Sequence, residues 1–296
     1  MNVYQIVTDK IISILEQGTV PWRKPWATSN ALSKNLITNK EYRGINLFLL
    51  GCQDFESPYW MSYKQVLAKK GTVRKGEKAS QVVFYQRYLS QTEQPENGDK
   101  QRTGFMLKYY NVFNLQQCDG IAAPAVEEST VDFTPIKKAE QIVANMNNPP
   151  EIRYGSKRAS YSSVNDKISM PFSSRFETCE GFYAVLFHEL GHSTGHQSRL
   201  ARKEVMERNE FGSEEYSAEE LCAGLSASML CAVAGISSQT VELSAAYIES
   251  WLTMFRTDKR VLIRAAGKAQ KAADYILNRT AETGGNHDLC LQGQEA

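Results

Sequence analysis

Phe187-His188-Glu189-Leu190-Gly191-His192 contains the spacing His-Glu-x-x-His. On a helix, His188 and His192 stand one turn apart, so both imidazoles point the same way and can hold one metal ion. Glu189 lies about 100° further round the helix, beside the open coordination position, where a carboxylate can take a proton from an activated water. The whole chain has 4 histidines, and His188, His192 and His196 fall within nine residues. The preceding run from Gly181 to Phe187 is apolar and free of proline, as a buried helix requires. The plain alternative is a core helix whose histidines are satisfied by ordinary hydrogen bonds.

A zinc-type site needs a third protein ligand. His196 lies eight residues after His188, about 12 Å along a continuous helix, and can join only if the helix breaks near Gly195. In the longer metzincin spacing the final ligand position falls on Ser198, which argues against that class. The expected ligand is Glu220, on a second long helix beginning at Ser213. Ala223, Gly224 and Ala227 follow it at helical spacing and let that helix pack tightly on the first. Glu219 is the alternative ligand, and a Ser217-x-x-Glu220 capping box is the structural alternative.

The elements that must carry these residues belong to an ordinary globular composition. The chain has 296 residues, 42% hydrophobic and 23% charged, enough for two domains. No run of 18 apolar residues suggests a membrane span, and the N-terminus lacks the layout of a signal peptide. The 6 cysteines include no Cys-x-x-Cys pair, as expected of reduced thiols in a cytoplasmic protein. The net charge of +1 hides an asymmetry: residues 1–125 hold 16 Lys and Arg against 10 Asp and Glu, the remainder 18 against 23. A +6 half joined to a −5 half suggests different partners for each, although such an excess is also common on a solvated face.

The periodicity predicts a helix over 3–17, and another from Tyr59 to Lys70. Strands are expected over 81–88 and 105–113, a helix over 136–146, and short strands at 159–161 and 167–170. Further helices are expected over 241–255 and 260–277. The strand with Ile168 and Met170 is a candidate lining for a cleft beside the metal helix. In the basic half, rings alternate with cations, as a surface for single-stranded nucleic acid requires. Trp22, Trp26, Tyr42 and Trp60 are candidate stacking residues. Arg23, Lys24, Arg43, Arg74 and Lys75 are candidate phosphate contacts. The competing reading is that the rings are core and the cations a solvated surface.

Several stretches together resemble the ArdC-type antirestriction proteins of conjugative plasmids. They are Leu15-Glu-Gln-Gly-Thr-Val-Pro-Trp-Arg-Lys-Pro-Trp26, Tyr42-Arg-Gly-Ile-Asn46, Val73-Arg-Lys-Gly-Glu77, Val112-Phe-Asn-Leu-Gln-Gln117, His188 to His196, Arg199-Leu200 and Tyr216-Ser-Ala-Glu-Glu-Leu221. The resemblance implies an α+β single-stranded-DNA-binding domain, then a mainly helical zincin-like metallopeptidase domain. It further implies a role in protecting incoming plasmid DNA from host restriction. The chain departs from related sequences at Gly224, where another glutamate usually stands.

The resulting expectation is a DNA-binding domain over 1–125, a linker over 126–135, a metallopeptidase domain over 136–280 and a flexible tail over 281–296 that carries His287. A Zn²⁺ or another divalent ion such as Mn²⁺ is expected on His188, His192 and Glu220, with Glu189 as general base. The partners expected are single-stranded DNA and, if the site is catalytic, a host restriction component as peptide substrate. One rival is protection by occupancy of DNA alone, with a structural ion. Another is a plain metallopeptidase with a substrate-recognition domain.

Overall fold

The computed structural model describes residues 2–17, 20, 32–53, 55–89, 103–124, 135–206, 213–236 and 245–279. The chain opens with α1 (Val3–Glu16), started by Asn2, whose side chain accepts from the Tyr4 amide. Val7, Ile11, Ile12 and Leu15 recur at helical spacing and are buried. Next come β1 (Lys34–Asn35), α2 (Ile45–Gly51), β2 (Tyr59–Ser62), α3 (Tyr63–Ala68), β3 (Thr72–Val73), β4 (Ser80–Leu89), β5 (Thr103–Asn114) and β6 (Cys118–Asp119). Strands β1, β2, β5 and β4 form one sheet in that order, with β1 and β2 parallel and the other pairs antiparallel. β3 and β6 form a separate antiparallel pair.

One local expectation is corrected. Residues 59–62 form strand β2 rather than the start of a helix. The Ser62 hydroxyl accepts from the Gln65 amide at 3.3 Å, and the Gln65 side chain accepts from the Ser62 amide at 2.9 Å. That reciprocal cap fixes the helix start at Tyr63. The apolar run after Asn46 lies in helix α2, which begins after Gly44 at φ 58, a conformation open to glycine.

The second half contains α4 (Pro135–Ala144), β7 (Glu151–Tyr154), β8 (Ser160–Ser162), β9 (Lys167–Met170), α5 (Cys179–Ser193), α6 (Lys203–Met206), α7 (Glu214–Ala234), α8 (Ala245–Thr257) and α9 (Val261–Ile276). Its sheet runs β7-β9-β8, so β9 is the central strand, and Ile168 and Met170 are fully buried. The expectation that β9 lines an open cleft is therefore corrected: it is the middle strand, with β7 and β8 at the edges, and both β8 and β9 pack against α5. The fold is α+β throughout, with helices dominating the second half.

One hydrophobic cluster runs through both halves, from Ile11 and Phe48 to Trp251, Phe255 and Ile276. The expected linker lies almost entirely outside the described residues, as do the expected tail and His287. Helix α7 is long and apolar enough to cross a membrane, but 78% of its apolar window is buried inside the protein, as befits a core helix. The described cysteines form no disulfide; burial pushes the Cys222 and Cys231 thiols up to about 12.

Candidate metal centre

Helix α5 is built to present its last two turns. Thr178 caps its start by accepting from the Gly181 amide at 3.0 Å, and Glu180 sits in the first turn, where the helix dipole favours an acid. The helix stops at Ser193, and Thr194 folds its hydroxyl back onto the Gly191 carbonyl at 2.6 Å. Helix α7 is capped by Ser213, whose hydroxyl accepts from the Tyr216 amide at 3.2 Å. Ser217 instead meets the Ser250 hydroxyl at 2.7 Å, so Glu220 has no capping partner there.

The two helices cross at Gly191. A Cβ at that position would lie 2.4 Å from the Ser226 hydroxyl and 3.2 Å from the Ala223 Cα. This close approach is what small residues along α7 permit, and it carries Glu220 to the histidine pair.

His188 Nε2 and His192 Nε2 stand 3.1 Å apart. Glu220 reaches both, with Oε2 3.4 Å from His188 Nε2 and Oε1 3.5 Å from His192 Nε2. Ligand atoms of these three residues all lie within 4.8 Å of one another. Two imidazole nitrogens and a carboxylate converging on one point are the donor set that suits a zinc-type divalent ion. Glu189 follows His188 in the helix and is buried, 7% exposed.

Glu219 does not join this group. Its Oε1 lies 3.1 Å from His192 Nδ1, behind the ligand face. Arg202 grips it with both arms: Nε to Oε2 at 2.9 Å and Nη2 to Oε1 at 2.5 Å. The same guanidinium donates to the Thr194 hydroxyl at 2.6 Å and the Gly191 carbonyl at 2.8 Å. A carboxylate on the far ring nitrogen fixes the tautomer and turns Nε2 toward the site. The His192 ring is thus backed by a carboxylate at position 219, itself held by Arg202. Arg202 carried no signal in the sequence, because its partner is 17 residues away.

On the chain's own charges, burial works against a charged His192, but Glu219 and Glu220 outweigh it and push its pKa up to about 10. Burial likewise opposes a charged Glu220, yet hydrogen bonds from His188 and His192 hold it far below the usual carboxylate range. Glu219 is also lowered: burial raises it, and His192 and Arg202 overcome that. His188 Nδ1 is buried without a hydrogen-bond partner.

His196 is not brought to this point. Its Nδ1 meets the Ser198 hydroxyl at 2.8 Å and stands 3.9 Å from Asp166. Arg199, its side chain fully buried, pairs with Asp166 and donates to the carbonyls of Ser193 at 2.7 Å and Asn148 at 3.0 Å. It ties the end of α5 to the β8–β9 turn.

Of the candidate nucleic-acid contacts, Trp22, Arg23, Lys24 and Trp26 lie outside the described residues. Trp60 and Tyr42 are core residues, 2% and 7% exposed, so neither ring has a free face for a base; this corrects both assignments. Arg43 pairs with Asp274 on α9, a tie between the halves rather than a free cation. Arg74 is half-exposed and bound to Glu77 in its own turn and, across the β3/β6 pair, to Asp119 and the Gln116 carbonyl. Lys75 is exposed. Among the described side chains of β4 and β5 the exposed rings are Tyr85 and Tyr109, neither of which stands out in the sequence. Alternation along a strand pair marks faces without telling which face is covered.

The chain matches two family profiles, one for the N-terminal domain of the anti-restriction factor ArdC over residues 1–113 and one for a zincin-like metallopeptidase over 137–268. A DNA primase TraC of Escherichia coli is 34% identical over 93% of this chain, and the chain spans 27% of that relative's length. An uncharacterized protein, y4eC, of Sinorhizobium fredii is 32% identical, with 93% of this chain and 91% of that protein covered. Crystal structures of the antirestriction protein ArdC from plasmid R388 match with a TM-score of 0.75. The metal-free one is 34% identical and covers 95% of this chain; the Mn(II)-bound one is 35% identical and covers 96%; both are matched over 100% of their length. With both halves matched in order and a solved relative covered end to end, this chain belongs to the ArdC family of antirestriction proteins.

Proposed function

We propose that this chain is a cytoplasmic antirestriction protein that binds single-stranded DNA and holds one divalent ion, Zn²⁺ or Mn²⁺, on His188, His192 and Glu220. The observation that carries the metal assignment is the convergence of these three side chains within 4.8 Å. The Mn(II)-bound relative and the metallopeptidase profile support it. The DNA assignment rests on the ArdC N-terminal profile and on the basic balance of residues 1–125. Protection of incoming plasmid DNA from host restriction is the role that family membership supports.

A divalent ion at such a site acts as a Lewis acid and lowers the pKa of water. The chain's own residues do the rest. Glu219, gripped by Arg202, holds the His192 ring so that Nε2 faces the ligands. Glu189, buried next to His188, would be the group that accepts a proton from water and returns it to a leaving amine. This buried acid favours a second reading, in which proteolysis of a host restriction component, and not occupancy of DNA, is the main activity. A site that only stabilises the fold does not require Glu189.

An antirestriction assay in cells tests the choice, comparing wild type with Glu189→Ala. The variant is expected to keep its ion, because Glu189 is outside the ligand set, and to bind DNA normally. Loss of protection assigns the role to proteolysis; full protection assigns it to occupancy. A wild-type protein that gives no protection sinks the antirestriction proposal.

A further inference from the structure

Away from the metal ligands, an open groove of about 530 Å³ runs between the start of α1, the β4/β5 ribbon and the first turn of α9. Tyr4, Tyr85 and Met106 line it from the first half of the chain, Arg260 and Arg264 from the second. Tyr85 is 55% exposed and Met106 47%, so a ring and a thioether face solvent. Register places Tyr109 on the same face as Tyr85: Val83 opposes Tyr109, Tyr85 opposes Leu107, and partners directly across a ladder share a face. Two open tyrosines therefore stand diagonally on one face of the ribbon.

The cations beside them come from α9 and its cap. The Arg260 guanidinium sits 5.7 Å from the centre of the Tyr4 ring. Arg264 is 59% exposed and only loosely paired with Asp258, at 3.4 Å. The acids of α1 and of residues 258–276 all have cationic partners: Asp9 with Lys259, Glu16 with Arg256, Asp258 with Arg264 and Asp274 with Arg43. Burial, and the hydrogen bond to Tyr4, push the Tyr85 phenol up to about 12, so it brings no charge against a phosphate.

We propose that this groove is a binding site for single-stranded DNA, with Tyr85 as a stacking platform and Arg260 and Arg264 as phosphate contacts. Rings give bases a sequence-tolerant face, and guanidiniums neutralise the backbone. The DNA track then crosses from the first half onto α9, whose arginines complete it. This inference rests on the DNA-binding reading above and adds to it a location and a contribution from the metal-bearing half.

The test uses the full chain and a fluorescein-labelled oligothymidylate, titrated by anisotropy at several salt concentrations, with circular dichroism melts on each variant. Tyr85→Ala is expected to bind about 5- to 150-fold more weakly, and Tyr85→Phe to bind like wild type, because stacking needs the ring alone. The double variant Arg260→Gln with Arg264→Gln is expected to flatten the slope of log K against log salt by about 1.4, at about 0.7 per phosphate contact. Should Tyr85→Ala fail to fold, the arginine variant decides. If wild type binds and the variants match it in affinity and slope, DNA lies elsewhere and the groove assignment is overturned. If wild type does not bind at low salt, the DNA-binding reading itself fails. Equal affinity for a duplex of the same length, unaffected by Tyr85→Ala, overturns the stacking role.

Discussion

Glu219 and Glu220 are adjacent in the chain and stand on opposite sides of His192. Glu220 faces both Nε2 atoms, whereas Glu219 accepts from Nδ1 and is itself held by Arg202. Their substitutions should therefore fail differently. Glu220→Ala removes a ligand and is expected to leave the purified protein without stoichiometric metal. Glu219→Gln keeps the ligand set and an acceptor for His192, but weakens the hold on ring orientation; a loss of about 10- to 100-fold in affinity is expected. Elemental analysis, followed by competition with a chelator, reads both. The assignment is wrong if Glu220→Ala keeps a full complement of ion, or if Glu219→Gln loses it as completely as Glu220→Ala should. The sequence pointed to both glutamates because they share a helix turn. Only the packing of α5 on α7 at Gly191 decides which one reaches the histidines.

At the scale of elements, what was legible follows from local pattern. The β4 and β5 strands and the last two helices follow their apolar patterns, whereas α5 and α7, apolar nearly all round, were marked by long runs free of proline; each stands close to where the sequence puts it. Short elements were harder. β7 carries no strong alternation, and residues 59–62 were drawn into the helix that follows them, because four residues cannot distinguish the two periods. Sheet order is non-local, so nothing in residues 167–170 announces a central strand. Besides the packing of β8 and β9 on α5, a polar tie holds this sheet to the metal helix: Arg199, its side chain fully buried, pairs with Asp166 in the β8–β9 turn. Burial alone would raise the Asp166 pKa, but the hydrogen bonds from Arg199 and Tyr161 outweigh it and hold the carboxyl low. A carboxyl lowered on folding contributes stability above its unfolded pKa of about 3.9, and that stability is lost as pH falls through the folded value. Asp166→Asn, which tolerates the local φ of 47, is expected to cost about 1–3 kcal/mol near neutral pH and to flatten the acid side of a melting-temperature profile. An acid limb as steep as that of wild type would show that Asp166 is not the group titrating there.

At the scale of the whole molecule, the two profile matches and the charge asymmetry suggest two separable units, yet the interior does not divide there. Helix α1 touches β5 and also packs on α8, so its buried Val7, Ile11 and Leu15 belong to one continuous core. The Thr8 hydroxyl donates to the Lys259 carbonyl at 2.8 Å, and the Gly44 amide to Gln270 at 2.8 Å. Net charge does not explain the joint. Of the four ion pairs that cross it among the described residues, only Arg43–Asp274 takes its cation from the basic half. Arg256–Glu16, Lys259–Asp9 and Arg279–Glu41 run the other way. Burying each large aliphatic side chain of α1 is worth about 1.5–3 kcal/mol, and the halves forfeit that together if they part. The full chain, with a chelator present so that ion binding does not add a transition, is therefore expected to unfold in one cooperative step. Calorimetric and van't Hoff enthalpies should then agree. Asp274→Ala, which leaves Arg43 without its buried partner, should lower the temperature of that single step without splitting it. Two resolved transitions in wild type would show instead that α1 is a clasp between independently folding units, and that the shared core adds little to the stability of either.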